Sequence, residues 1–199
     1  MAKRINLEAY EHFYPPDRAV WRQWLIDNHA TSPGVWLIFF KKDSGKSRVS
    51  YDEAVEEALC FGWIDSLPNK IDEQSYKQLY SPRKLKSNWS KLNKERVEKL
   101  IATGLMQPAG LEKIEWAKQN GTWDALNEVE QLLVPPDMQK ALDDNPTALG
   151  HWESFSRSVR RSILEWILNA KREETRAKRI EETVRLAAQN IKANQYDRK

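Results

Sequence analysis

The segment VWLIFF, residues 35–40, is the clearest indication of the fold class of this chain. Its six consecutive apolar residues predict a β-strand that is apolar on both faces, and such strands lie inside a sheet that is covered on both sides. Ser32-Pro33-Gly34 breaks the chain directly before the strand, and a polar turn that contains Gly45 follows it. Further upstream, Asp17 is a suitable N-cap for a helix. A central strand with a helix before it is therefore expected.

The helix that follows the strand is defined at both ends by local signals. Ser50 and Glu53 form the S-x-x-E capping box, in which each side chain satisfies a free backbone N–H of the first turn. The helix is expected to run from Tyr51 to about Phe61. It is expected to end at Gly62, because glycine adopts the left-handed conformation that stops many helices.

Residues 63–80 alternate in the manner of short strands, and two or three strands are expected there, with a turn at Pro68-Asn69. The chain then becomes helical, and the last helix of this part is expected over residues 123–133. Together with the central strand, these patterns predict an α+β fold with a small mixed or antiparallel sheet packed by helices, followed by a helical C-terminal part.

Val134-Pro135-Pro136 is the best boundary in the chain, since paired prolines stop a helix and stiffen a linker. The sequence therefore predicts an α+β domain over residues 1–134 and a helical domain over residues 135–199. In the helical domain, Asp137 is expected to cap a short helix, and a turn is expected to hold Trp152.

Length and composition exclude several classes of protein. The 199 residues are 40% hydrophobic and 31% charged, as in ordinary globular proteins. The longest apolar run has six residues, whereas a membrane-spanning helix needs about 20. No apolar signal segment is visible at the start, and the single cysteine permits no internal disulfide. A cytoplasmic location is therefore expected.

The motif search predicts no cofactor and no metal ion. The seven glycines form no GxGxxG turn, and Gly45-Lys46-Ser47 does not end a P-loop because position 40 is Phe40. The three histidines are too scattered for a metal motif, and no CxxC pair exists. Carboxylate pairs such as Glu56-Glu57 are common on solvated helix faces and are not assigned a catalytic role.

Cys60 is a candidate nucleophile or a core residue. It lies at the expected C-terminus of its helix, where the negative end of the helix dipole opposes thiolate formation. Free cysteine is also among the most buried residue types. A small core residue is therefore the favoured interpretation, and an enzyme that uses Cys60, Asp65 and Arg83 ranks last among the functional hypotheses.

Residues 76–99 form a basic segment with eight basic and two acidic side chains, in which Tyr76, Tyr80 and Trp89 are interleaved. Basic groups contact phosphates and aromatic rings stack on bases, so the segment is a candidate surface for nucleic acid or a phosphate ligand. The alternative is a strand edge, a loop and a solvated helix face with buried aromatic residues. That alternative is favoured, because no nucleic-acid-binding motif accompanies the basic residues.

A candidate ligand cleft is expected where the chain leaves the helix with the capping box and meets the basic segment. Its candidate residues are Trp63, Asp65, Arg83, Lys84 and Trp89. Residues 81–84 precede a helix start, where free backbone N–H groups can hold an anion. Residues 1–156 carry a net charge of −3 and residues 157–199 one of +6, which suggests an acidic partner or solvated helices. An anionic ligand and a protein partner both stay open, and the oligomeric state does not follow from the sequence.

Long segments of the chain resemble one known family. They are YDEAVEEALCFGWIDS (51–66), SPRKLKSNWSKLN (81–93), GLMQPAGLEKIEWAKQNGTW (104–123) and AKREETRAKRI (170–180), together with Asn145-Pro146 and Ser156-Arg157-Ser158. On these residues the chain, from about residue 13 to 190, resembles the bacteriocin-protection family called YdeI or OmpD-associated.

The resemblance implies resistance to cationic antimicrobial peptides or bacteriocins, a part in stress responses and, for some members, an outer-membrane porin partner. It brings no catalytic residues, and the missing export signal speaks against the porin partner here. The first hypothesis is a non-enzymatic cytoplasmic protein of stress or peptide resistance that acts through a binding surface. The second is a binder of nucleic acid or a phosphate ligand that uses residues 76–99 and the basic C-terminal helices.

Overall fold

The computed structural model describes residues 9–194 of the chain. The chain forms two compact units, of which the first ends at Asp124 and the second begins at Ala125. Each unit has a hydrophobic core of its own. The expected domains, residues 1–134 and 135–199, place the boundary later in the chain and stay a prediction.

The first unit is built on a four-stranded sheet with the strand order β1-β2-β4-β3. The strands are β1 (Glu11–Phe13), β2 (Val35–Phe40), β3 (Trp63–Lys70) and β4 (Ser75–Pro82). β1 is parallel to β2, whereas β4 is antiparallel to both β2 and β3. The predicted α+β class with a small mixed or antiparallel sheet is confirmed, and of these two alternatives the sheet is mixed. The VWLIFF strand lies between two others, as expected.

Pro68 and Asn69 do not form the expected turn, because both are paired residues of β3. The register shifts between Asp65 and Pro68, and Pro68 then lies opposite Gln78 of β4. Since β3 is an edge strand, a proline is tolerated on the side that has no neighbouring strand. The chain reverses instead at residues 71–74.

Four helices accompany the sheet within the described part of the first unit. They are α1 (Arg18–Asn28), α2 (Tyr51–Cys60), α3 (Lys91–Ala102) and α4 (Pro108–Gln119), and a short 3-10 turn covers Lys42–Ser44. Asp17 caps α1 by accepting a hydrogen bond from the Val20 N–H at 2.9 Å. The capping box of Ser50 and Glu53 is complete, and Gly62 has a φ of +72°. These predicted helix signals are confirmed.

The residues of β2 alternate between two faces that are both shielded. Val35, Leu37 and Phe39 are fully buried in the core that the sheet shares with the helices. On the opposite face Trp36 is also buried, and the Lys77 ammonium lies 4.6 Å from the centre of its ring. The expectation of a strand that is apolar and covered on both sides is therefore confirmed around Trp36.

The C-terminal end of α2 is packed closely against the start of α4. A Cβ atom added at Gly110 would lie 2.4 Å from the carbonyl oxygen of Cys60. That same carbonyl accepts a hydrogen bond from the Gln107 N–H at 3.1 Å. Position 110 is therefore restricted to glycine by the close approach of two backbones.

The second unit is helical in its regular structure, as expected for the C-terminal part. Within the described residues its helices are α5 (Asn127–Glu130), α6 (Pro136–Asp143), α7 (Pro146–Ser154), α8 (Arg157–Leu168) and α9 (Glu173–Ala187). Their buried apolar residues form the second core.

Three local expectations for this region are wrong. The helix expected over residues 123–133 is reduced to the four residues of α5. Asp137 does not cap α6, because Pro135 occupies the cap position and Pro136 the first helical position. Trp152 lies within α7 and not in a turn. A proline at the first helical position has no N–H to satisfy, so α6 begins without a side-chain cap.

Candidate functional site

Two of the five predicted cleft residues are core tryptophans. Trp63 is buried edge-on against Trp24, with the ring centres 5.7 Å apart, and its indole N–H donates to the His29 carbonyl at 3.1 Å. Trp89 is also buried, and its ring centre lies 5.0 Å from that of Trp123. Both indoles are therefore held by contacts within the first unit.

Arg83 and Trp89 are brought together at the end of β4. The guanidinium carbon of Arg83 lies 3.7 Å from the centre of the Trp89 ring, within the range of a cation–π contact. The Arg83 backbone N–H donates to the Gly62 carbonyl at 2.9 Å, and Nη2 donates to the Asn88 carbonyl. Nε and Nη1 have no acceptor within residues 9–194. Burial lowers the pKa of Arg83 to about 10.

Asp65 lies at the centre of a partly buried hydrogen-bond network. Its Oδ2 accepts from the Tyr51 hydroxyl at 2.8 Å and from Gln78 Nε2 at 3.2 Å. Tyr80 lies directly opposite Asp65 in the β3–β4 ladder, and its buried hydroxyl has no partner in the part of the chain that the structure describes. Burial and the negative charge of Asp65 raise the pKa of both Tyr51 and Tyr80, so both phenols stay protonated at neutral pH.

The predicted cleft residues therefore have three different surroundings. Asp65 acts electrostatically on Arg83, and Arg83 stacks on Trp89. Trp63 packs on Trp24 of α1, and Lys84 is exposed. Their joint use by a ligand stays a prediction. The links from Tyr51 and Gln78 to Asp65 were missed because they join residues far apart in the sequence.

Cys60 is a core residue, as expected. Its side chain is fully buried at the end of α2. Burial raises the pKa of the Cys60 thiol to about 11, and the nearby Glu57 carboxylate adds to this effect, while Arg22 opposes it. The protonated, shielded thiol is unsuited to nucleophilic attack at neutral pH.

Glu57 is a buried carboxylate for which a solvated helix face was expected, and that expectation is wrong. Only 2% of the residue is exposed, and its carboxylate is paired with Arg18 Nε at 2.6 Å and Arg22 Nη1 at 2.5 Å. Arg18 also reaches Glu56 at 2.8 Å. The sequence signal is the spacing of the two arginines, one helical turn apart on α1. The arrangement ties α1 to α2.

The basic segment, residues 76–99, forms no continuous positive surface. Its α3 cations pair with acids as Lys91–Glu95, Lys94–Asp124, Arg96–Asp52 and Lys99–Glu56. Tyr76 stacks on Phe39 with ring centres 5.1 Å apart, and Tyr80 and Trp89 are buried. These aromatic rings are engaged within the fold, where they do not stack on bases. Nucleic-acid binding stays a prediction, and the solvated-face alternative has the better support.

The second unit contains an open groove of about 1150 Å³ between α9 on one side and α6 with the following residues Asp144 and Asn145 on the other. Its apolar lining consists of Ala141, Ala177, Ile180, Val184 and Ala188. Its charged lining consists of Asp137, Asp144, Glu173, Glu181, Arg176 and Arg185. The groove was not predicted, because its two walls come from helices that are distant in the sequence.

Asp137 and Arg176 join the two walls of this groove. The Asp137 carboxylate accepts two hydrogen bonds from the Arg176 guanidinium, at 2.6 and 2.8 Å. This contact lowers the pKa of Asp137 and raises that of Arg176. The charges of the lining that remain are Asp144, Glu173, Glu181 and Arg185. The remaining charge of the groove is therefore negative.

Each of the two units contains one arrangement of side chains that could bind a ligand. Residues 9–194 include no helix that is both long and apolar enough to cross a membrane. Among the same residues, no three potential His, Cys, Asp or Glu ligands come together as a metal site. The candidate sites are thus the buried guanidinium of the first unit and the groove of the second.

The fold and these sites define a class of α+β protein in which a mixed sheet packed by helices is joined to a grooved helical unit. The model of a domain of unknown function, DUF8412, matches residues 13–113, about half of the chain, and the model of the bacteriocin-protection, YdeI or OmpD-associated family matches residues 131–190. The chain belongs to the DUF8412 family, whose model matches its first part, and its second part is similar to the bacteriocin-protection, YdeI or OmpD-associated family. The resemblance to the latter family, expected from about residue 13 to 190, is therefore supported over residues 131–190. Searches of curated proteins and of solved structures found no significant match.

Proposed function

We propose that this is a non-enzymatic protein of bacteriocin or antimicrobial-peptide resistance that binds a cationic amphipathic peptide in the groove of its second unit. The observation that carries the proposal is the position of the groove, which lies in the region that matches the bacteriocin-protection family. The proposal includes the cytoplasmic location and the role in stress responses that are expected from the sequence.

The lining of the groove is complementary to such a peptide. The apolar side chains of Ala177, Ile180 and Val184 line the groove along α9. Such an apolar surface can bind the apolar face of a helical ligand. The carboxylates of Asp144, Glu173 and Glu181 outnumber the Arg185 guanidinium. The negative groove would attract a cationic peptide and orient it. Complementary charges of this kind raise the rate of association and the specificity more than the affinity.

The dimensions of the groove agree with a short helical ligand. α9 has 15 residues, so the wall it forms is roughly 22 Å long at 1.5 Å per residue. A ligand helix laid along it would present about four turns. The ligand would also contact the ion pair of Asp137 with Arg176. This pair is partly exposed and contributes little to stability, so a cationic side chain of the ligand can replace Arg176 beside the Asp137 carboxylate.

The first test measures binding of a fluorescently labelled cationic amphipathic peptide by anisotropy. Ala177 is exposed in the groove, so Ala177→Arg blocks the apolar path and repels the peptide, and we expect affinity to fall at least about tenfold. Ser154→Arg adds the same charge at an exposed position outside the groove and serves as the control. Equal affinity of both variants for the peptide would exclude the groove.

The second test removes carboxylates in matched pairs. Asp144→Asn with Glu181→Gln neutralises two groups of the groove, whereas Glu153→Gln with Glu182→Gln neutralises two exposed groups elsewhere in the same unit. We expect only the first pair of substitutions to weaken peptide binding, by about fivefold, and to reduce its dependence on salt.

In cells, the Ala177→Arg gene should fail to restore the peptide resistance that is lost on deletion, while the Ser154→Arg gene restores it.

A further inference from the structure

The guanidinium of Arg83 is buried without a matching negative charge. Only 5% of the residue is exposed. Asp65 acts on it at longer range, and no carboxylate of residues 9–194 forms an ion pair with it. Buried charges in proteins are nearly always paired, because an isolated charge is strongly unfavourable away from water.

The hydrogen-bonding capacity of Arg83 is also incomplete. The guanidinium lies against the Trp89 ring, and Nη2 donates to the Asn88 carbonyl. Nε and Nη1 are shielded from solvent and have no acceptor among the described residues. Unpaired buried donors are rare in native proteins and each calls for a physical explanation, such as an ion or a ligand that completes the set.

Two lysines share the loop in which Arg83 lies. Lys84 and Lys86 are exposed in the loop of residues 83–90, which joins β4 to α3. The following helix, α3, has 12 residues, and the positive end of its dipole lies at its N-terminus. An anion that approaches this loop is therefore attracted by two lysines, the buried guanidinium and the helix end.

We propose that Arg83 binds a small oxyanion, a phosphate or carboxylate group, beneath the loop of residues 83–90. The anion supplies the acceptors that Nε and Nη1 lack, while Trp89 holds the guanidinium in place. Entry requires the loop to move. Its tethers include the Asn120 Nδ2 bond to the Leu85 carbonyl at 2.9 Å and the Trp89 N–H bond to the Thr122 carbonyl at 3.3 Å. This site lies in the first unit and is independent of the proposed peptide groove.

The proposal is tested on the full chain by following arginine Nε–H signals in nitrogen-15 NMR spectra. Inorganic phosphate is titrated against sodium chloride at equal ionic strength, and the Arg83 signal is identified by its absence in Arg83→Lys. We expect a saturable shift of this signal with phosphate and none with chloride. A shift that saturates with neither phosphate nor acetate, or that chloride reproduces, overturns the proposal, and this outcome does not depend on the stability of any variant. Sodium acetate in a third titration shows whether a carboxylate replaces the phosphate group.

Calorimetric titration with inorganic phosphate provides a second measurement. Arg83→Gln should weaken phosphate binding at least about tenfold, since it removes a charged donor. Lys84→Gln with Lys86→Gln should weaken it about threefold by reducing the local potential. Lys41→Gln with Lys42→Gln, two exposed lysines elsewhere in the unit, should leave it unchanged. Phosphate binding that persists in a folded Arg83→Gln variant contradicts the proposal.

Discussion

The junction of α1 with α2 and the loop between β4 and α3 each bury a charged side chain, in opposite ways. At the first, the Glu57 carboxylate is met by the guanidinium groups of Arg18 and Arg22. At the second, Arg83 keeps two buried nitrogens without an acceptor in residues 9–194. A complete set of partners indicates a structural role, whereas an incomplete set indicates a site that awaits a partner from outside the chain.

The largest expected effect is at the complete site. Glu57→Ala leaves two arginines facing an emptied, buried position, and we expect the free energy of unfolding to fall by about 3 kcal/mol. Urea denaturation followed by circular dichroism measures this change. Glu98→Ala removes an exposed glutamate of α3 and should alter stability by less than about 0.5 kcal/mol. Similar urea midpoints for the two variants would show that the ion pairs of Glu57 with Arg18 and Arg22 do not stabilise the fold.

The close packing beside this junction gives the second effect. Gly110→Ala places a Cβ atom against the Cys60 carbonyl, and we expect a loss of about 1–3 kcal/mol from overpacking. The control is Gly150→Ala in α7, where an added Cβ meets open space, and helix propensity predicts a gain of up to about 1 kcal/mol. Thermal melting of both variants checks the opposite signs. Destabilisation by both changes would mean that the backbone contact is not the cause.

Cys60 gives a smaller effect that depends on pH. Its folded pKa of about 11 lies above the ordinary value of 9.0, so its contribution to stability is complete below pH 9.0 and is lost as the pH rises toward about 11. The unfolding free energy of the wild type should therefore fall more steeply in this window than that of Cys60→Ala. Parallel curves would refute the shifted pKa. At pH 8, iodoacetamide should label the thiol only after denaturation.

The smallest effect is expected at Arg83. Arg83→Met removes a buried charge that leaves no carboxylate of the described residues unpaired, so stability in chloride buffer should change by less than about 1 kcal/mol. Arg22→Met, by contrast, deprives Glu57 of one partner and should cost about 2 kcal/mol. Parallel urea titrations of the two variants compare them directly. A larger loss of stability for Arg83→Met than for Arg22→Met would indicate that Arg83 has a structural role, which contradicts its assignment as a ligand-binding residue.

Signals within a few residues were predicted well. The capping box of Ser50 and Glu53 and the glycine stop at Gly62 specify α2 through neighbouring backbone groups, and both are confirmed. The apolar run of β2 predicted a central strand, and the sheet order confirms it. Pro68-Asn69 was misassigned because its local signal for a turn is overridden by its place on an edge strand.

The candidate sites depend on neighbours that a single sequence does not pair. Arg83 was singled out from its basic surroundings, but its burial and its missing acceptors emerge only when Asn88 and Trp89 pack against it. The groove of the second unit likewise needs two distant helices side by side. Neither feature has a local pattern, since each arises from contacts across long stretches of chain.

The sequence specified the α+β class, the ends of α2 and the core position of Cys60. It could do so because capping, glycine conformation and apolar periodicity act between residues that are close along the chain. The tertiary contacts show which buried charges have partners, where the groove opens and which strand forms the edge of the sheet. Those outcomes depend on desolvation and on the side chains that folding brings from distant positions.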